Sequence, residues 1–102
     1  MTVRELKIKT NVVKRFNKEL ALYHKEADDQ RLKIDQMITD KADEYDIKKQ
    51  KEVLAETLAI IPDVRNKLQI AYRELTEMTT NPAYEGTQEL VEAKDVLEQV
   101  EV

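Results

Sequence analysis

The side chains that could carry chemistry in this chain are few. His24 is the only histidine and there is no cysteine, which excludes disulfides and thiolate metal sites. A metal site between facing helices needs pairings such as Glu-x-x-His from more than one helix, and a single histidine does not supply them. We therefore interpret His24 as a structural side chain flanking a helix seam, and we predict no metal or other cofactor.

Carboxylates, the residues of general acid–base catalysis, occur side by side at Asp28-Asp29 and at Asp43-Glu44. Such catalysis needs carboxyl groups whose pKa is shifted by burial or by charged neighbours. Both pairs lie in strongly polar sequence, where we expect them to be exposed. The single glycine excludes a glycine-rich phosphate loop. The chain is therefore predicted not to be an enzyme.

Basic residues cluster at Lys14-Arg15 and at Lys48-Lys49-Gln50-Lys51. Nucleic-acid-binding domains are usually basic overall, but this chain carries a net charge of −4, so we predict no nucleic-acid partner. The charge is unevenly distributed: residues 1–26 carry seven Lys/Arg and three Glu, whereas residues 74–102 carry eight acidic residues and one Lys. This asymmetry suggests that the acidic end folds back beside the basic end.

Two seven-residue repeats dominate the rest of the sequence. Apolar residues three and four positions apart lie on one face of a helix, and a sustained period of seven predicts two helices wound around each other. The first repeat is Leu6, Val13, Leu20, Ala27 and Ile34, and the second is Ile47, Leu54, Ile61, Leu68 and Leu75. The 102 residues, with one Gly and two Pro, leave room for few connections and predict one domain, 1–102, of all-α class.

We expect helices over about 3–40, 47–79 and 88–100. Asp46 is the predicted N-cap of the second helix and Thr87 that of the third, because their side-chain oxygens can accept from free backbone N–H groups. Pro62 lies within the second repeat, where it removes one helical hydrogen bond. Two helices meeting at residue 61 are one solution. A single helix kinked at Pro62 is favoured, because the repeat stays in phase across it.

The predicted architecture is an antiparallel, spectrin-like three-helix bundle. Two long helices form a coiled-coil hairpin, and a shorter third helix covers only the half built from the start of helix one and the end of helix two. Phe16 is expected where the three helices meet, whereas Gln30 belongs to the two-helix half. The off-seam residues Ile8, Val12, Ile60 and Ile70 are expected under the third helix.

Three stretches of this sequence resemble the tubulin-binding cofactor A family. The strongest is Tyr45-Asp46-Ile47-Lys48-Lys49-Gln50, continuing into Glu52-Val53-Leu54. The others are Ile60-Ile61-Pro62-Asp63 and the opening Leu6-Lys7-Ile8-Lys9-Thr10 with Val12-Val13-Lys14-Arg15. Tyr84-Glu85-Gly86-Thr87 also resembles some members. The order and spacing of these pieces extend the resemblance over nearly the whole chain.

The resemblance implies a small three-helix chaperone that captures β-tubulin and holds it before assembly with α-tubulin. It implies binding through helical surfaces without nucleotide or metal, in the cytoplasm and at the microtubule cytoskeleton. It leaves open whether the protein is a monomer or a homodimer. Lys48 and Lys49, which lie off the seam in the strongest matching stretch, are our candidate partner-binding residues.

A second function of a different class stays open. The chain could be a coiled-coil scaffold or assembly subunit whose seam pairs with another copy or with another helical protein. No apolar run approaches the ~20 residues that span a bilayer, and residues 1–5 have no apolar signal-peptide core, so no membrane partner is expected.

Overall fold

The computed structural model describes residues 2–101 and contains three α-helices: α1 (Val3–Thr39), α2 (Glu44–Met78) and α3 (Gln88–Gln99). A short 3-10 turn over Pro82–Tyr84 lies between α2 and α3. No strand occurs in this part of the chain, and the all-α prediction is confirmed. The helices follow the repeats of the sequence, since most rungs of both repeats are buried or half-buried.

The chain divides into two compact units. The first combines the residues before Glu19 with those after Val64, and so contains the start of α1, the end of α2 and all of α3. The second is the hairpin of the remaining parts of α1 and α2. The first unit thus brings the acidic C-terminal segment together with the basic N-terminal one, as the charge asymmetry predicted.

The first unit has a continuous apolar core. Leu6 and Val13 from α1 and Leu68 and Leu75 from α2 are at most 1% exposed. The other buried apolar residues of this unit are Ala71 of α2, Tyr84 of the 3-10 turn, Leu90, Ala93 and Val96 of α3, and Val100 just after α3. Thr10 is also buried, and its hydroxyl donates to the carbonyl of Leu6 at 2.8 Å. Its polar group is therefore satisfied within its own helix.

The second unit has a thinner seam. Ala27, Ile34, Ile61 and Val64 are its buried apolar residues, whereas Leu54 is only half-buried. Thr57 is buried on the same seam and donates to the carbonyl of Val53 at 3.2 Å. This unit therefore buries less apolar surface than the three-helix unit.

The connection between α1 and α2 corrects one sequence prediction. α2 begins at Glu44 rather than near residue 47, and its N-cap is Asp43 rather than Asp46. The Asp43 carboxylate accepts from the N–H of Tyr45 at 2.8 Å, and the Asp43 carbonyl accepts the first helical bond, from Ile47. Asp46 lies in the first turn of the helix, where its charge still faces the positive helix end.

The end of α1 is a Schellman motif with an unusual residue in it. Ala42 N–H donates to the carbonyl of Met37 at 2.9 Å, and Lys41 N–H donates to that of Ile38 at 3.1 Å. This pairing requires a left-handed residue after the cap, usually glycine. Here that residue is Lys41, with φ of 56°, so its backbone adopts a conformation that L side chains disfavour.

Two other predicted features of the connections are present. α2 is continuous through Pro62, which rules out two helices meeting at residue 61, while the expected bend stays a prediction. Thr87 caps α3, as predicted, by accepting from the N–H of Leu90 at 3.2 Å. Gly86, with φ of +77°, supplies the left-handed turn that precedes this cap.

The third helix packs on a different side of the α1–α2 seam from the one expected. Ile8 and Ile70 are 52% and 44% exposed, so α3 does not cover them, and Val12 is half-buried. Ile60, which was also expected under α3, belongs to the second unit and is 40% exposed. Phe16 is also half-buried rather than central to the three-helix core. Around the α1 axis, these off-seam positions lie on one side of Val13, whereas the residues that meet α3 lie on the other.

Candidate partner-binding surfaces

Lys48 and Lys49, the predicted partner-binding residues, are exposed near the start of α2. The Lys49 ammonium lies 5.5 Å from the centroid of the Tyr45 ring, one helical turn earlier. A cation–π contact at an exposed site contributes about 0.5–1 kcal/mol, so Lys49 has a local structural role. Within residues 2–101, Lys48 has no hydrogen-bond or ion-pair partner and is available to a partner molecule.

Two of the carboxylates considered for catalysis have partners close by in the sequence. Asp28 accepts from Arg31 at 3.0 Å in a surface ion pair, and Asp43 caps α2. His24 is exposed on α1. In the described part of the chain, no three His, Cys, Asp or Glu side chains are grouped so that they could hold a metal ion.

A basic cleft lies between α1 and α3 within the first unit. Its wall is the outer face of α1, which contributes Lys14, Arg15, Asn17 and Lys18. Its other side is the end of α3, with Val96, Gln99 and Val100. Val96 and Val100 are 9% and 7% exposed and give the cleft an apolar floor. The lining therefore combines three cations, two amides and two valines, with no carboxylate.

An apolar groove lies on the other side of the same unit, between α1 and α2. It is lined by Lys9, Val12, Phe16, Lys67, Ile70, Ala71 and Glu74. Lys9 bridges the groove to Glu74 at 2.5 Å, and the Arg15 guanidinium lies 4.9 Å from the Phe16 ring centroid. This groove has apolar area that a helix or loop of another protein could cover.

Sequence reasoning identified the separate parts of these surfaces but not their assembly. The Lys14-Arg15 cluster was visible, and Lys18 follows Lys14 at the four-residue spacing of a shared helix face. The valines of α3 that complete the cleft could be assigned only once the side on which α3 packs was known. Exposed apolar residues also occur in the second unit, including Leu22 and Leu32 at 56% and 67% exposure.

None of the described helices is both long and apolar enough to cross a bilayer. The cleft and the groove described above offer contact area that a protein partner can cover. Their common character is exposed helix face, with charged and apolar side chains interspersed.

Comparison with known proteins gives consistent matches over the full fold. The family model described as tubulin binding cofactor A matches residues 1–97. The tubulin-specific chaperone A of Gallus gallus is 44% identical over 101 residues, covering 98% of this chain and 94% of that protein. The structure titled human tubulin chaperone cofactor a has a TM-score of 0.83 at 42% identity and covers 98% of both chains. The crystal structure of tubulin folding cofactor A from Arabidopsis thaliana has a TM-score of 0.86 at 34% identity, covering 95% of this chain and 92% of that one.

Proposed function

The chain belongs to the tubulin binding cofactor A family, and we propose from this membership that it is a tubulin-folding chaperone that captures β-tubulin. In this proposal it holds β-tubulin until the subunit assembles with α-tubulin. The observation that carries the proposal is the match over nearly the whole chain to relatives that are named tubulin-specific chaperones. The work would take place in the cytoplasm, next to the microtubule cytoskeleton.

The structure supports a binding role of this kind. Long helices hold their exposed faces rigidly, so binding costs little ordering of the protein's own backbone. Ile8, Leu22, Leu32 and Ile38 of α1 are each more than half exposed, which gives α1 apolar contact area along much of its length. Charged side chains between them can select an orientation for the client.

We include Lys48 and Lys49 in the proposed client interface. Both side chains project from α2 into solvent, in the part of the sequence that most resembles the family. The contact of Lys49 with Tyr45 holds one ammonium in place, so two neighbouring cations are presented to an incoming surface. Such charges accelerate association with an acidic partner more than they stabilise the final complex.

Affinity purification from a cytosolic extract tests the proposed function against the scaffold alternative. The tagged protein should retain β-tubulin as its dominant partner, in a ratio approaching one to one, as identified by mass spectrometry. Recovery of only a second copy of this chain, or of another helical protein in place of tubulin, would favour the scaffold function and overturn the proposal.

A further inference from the structure

The basic cleft between α1 and α3 has a composition that specifies what it can hold. Lys14 and Lys18 lie one turn apart on α1 and are both exposed. Within residues 2–101, neither lysine has an ion-pair or hydrogen-bond partner. Arg15 adds a third cation to the wall. At Lys14 and Lys18, a ligand with carboxylates would therefore meet ammonium groups that have no other ion pair to give up.

The same face of α1 extends the positive charge along the helix. Arg4 and Lys7 precede Lys14 and Lys18 at helical spacing and are exposed as well. Glu5 and Glu19 lie more than 90° around the α1 axis from Lys7, Lys14 and Lys18, whereas Glu19 is closer to Arg4 and Arg15. Lys7, Lys14 and Lys18 thus form a basic stripe on one face of this half of α1.

The floor of the cleft adds a requirement for an apolar group. Val96 and Val100 are largely buried under the α1 side chains, whereas Asn17 and Gln99 offer amides that both donate and accept. An inorganic anion would use the cations and the amides but not the exposed edges of the valines. An acidic peptide that also carries an aromatic or aliphatic side chain would use the cations, the amides and the floor together.

From this complementarity we propose that the cleft binds an acidic segment of the client protein, with an apolar side chain of that segment against Val96 and Val100. The inference rests on the proposed function for the identity of the client, and it adds a second contact to the one assigned to Lys48 and Lys49. The charge of the lining determines which kind of segment can bind, because three cations without a carboxylate would repel a basic segment.

If Lys14 and Lys18 only stabilised the fold, a different experimental result would be expected. The last turn of α3 contains no basic residue, and cations near its C-terminal end would offset the negative helix end. In that case neutralising Lys14 and Lys18 would lower the melting temperature without changing peptide binding. Binding and stability must therefore be measured on the same variants.

The probe is a fluorescently labelled, glutamate-rich ten-residue peptide with one central phenylalanine, followed by anisotropy at low ionic strength. The variant Lys14→Gln, Lys18→Gln should bind it at least fivefold more weakly than wild type, and a peptide with alanine in place of phenylalanine should also bind more weakly. The matched control Lys51→Gln, Lys94→Gln changes the net charge equally, at exposed lysines outside both the cleft and the apolar groove, and should stay within twofold of wild type. Equal weakening by both variants, or no peptide binding by wild type, would overturn the proposal.

β-Tubulin capture by the same variants separates this inference from the proposed function. Wild type and the control variant should capture β-tubulin equally, and the cleft variant should capture at least fivefold less. Undiminished capture by a folded cleft variant would overturn the cleft while the proposed function stands. Failure of wild type itself to capture β-tubulin would overturn the proposed function, and the assignment of the cleft's client with it.

Discussion

The hydroxyl of Tyr72 on α2 donates a hydrogen bond to the backbone carbonyl of Leu97 on α3, at 3.2 Å. Leu97 lies in the last turn of its helix, where carbonyl groups have no partner within the helix. Tyr72 therefore supplies from a neighbouring helix the partner that this carbonyl lacks, and it ties α3 to α2 by a directional contact as well as by packing.

Removing this hydroxyl tests the contact. Tyr72→Phe keeps the ring and should lower the free energy of unfolding by about 0.5–1.5 kcal/mol, the usual net contribution of one hydrogen bond. Urea denaturation measures the change. Tyr45→Phe is the matched control, because Tyr45 is 63% exposed and its hydroxyl should contribute little. Equal stability of the two variants would show that the Tyr72 bond is not stabilising.

Replacing a leucine of the second repeat by alanine should lower the free energy of unfolding by an amount that depends on the unit in which the leucine lies. Leu68 is 1% exposed in the three-helix unit, so Leu68→Ala should cost about 2–5 kcal/mol. Leu54, from the same repeat, is half-buried in the two-helix unit and should cost markedly less on the same substitution. Urea unfolding compares the two directly, and similar costs would contradict the uneven burial of the two units.

Lys41 offers a site at which the protein can be stabilised. Its φ of 56° suits glycine, so Lys41→Gly should raise the free energy of unfolding by about 0.5–1 kcal/mol, the strain relief exceeding the added chain entropy. Ala42→Gly, at the next residue, is the control and should not stabilise, because Ala42 has no positive φ to relieve. A destabilised Lys41→Gly variant in thermal melts would show that the lysine side chain has a further role.

Pro62 is the second candidate for stabilisation. It lies inside α2 and is exposed, so Pro62→Ala restores a backbone donor without disturbing a core contact. The substitution should raise the free energy of unfolding by up to ~3 kcal/mol, and with it the melting temperature. Asp63→Ala is the control and should fall within about 0.5 kcal/mol of wild type. A marked loss of stability on Pro62→Ala would show that a bend at this residue is needed for packing.

Charge reversal at Lys48 and Lys49 tests the interface residues of the proposed function. Lys48→Glu, Lys49→Glu should slow association with β-tubulin, and added salt should weaken wild-type binding, because the contribution is electrostatic and screened. Its helicity and melting temperature should stay close to wild type, since both side chains are exposed. Undiminished capture by this folded variant would remove the two lysines from the interface.

The sequence specified the helices well because the two repeats extend over most of the chain. Leu6, Val13, Leu68 and Leu75 are buried where their spacing placed them, and the Thr87 cap was recognisable from its position before an apolar helix. The α1–α2 connection was harder to predict. It contains two possible caps, Asp43 and Asp46, and its left-handed residue is Lys41, which carries no glycine signal.

The side on which α3 packs could not be predicted for a geometric reason. The repeats define the seam between α1 and α2, but a third helix can lie on either side of it, and the choice depends on the route of residues 79–87. Ile8 and Ile70 are exposed because α3 lies on the side of Asn17 and Tyr72. The basic cleft was unpredictable for the same reason, since its floor comes from α3.

The most direct test of the central claim is capture of purified β-tubulin by the purified protein, followed by size-exclusion chromatography with purified α-tubulin as the parallel sample. The account predicts a complex that co-elutes with β-tubulin and no comparable complex with α-tubulin alone. Absence of a β-tubulin complex, or equal capture of both subunits, would contradict the claim that this protein is a β-tubulin chaperone.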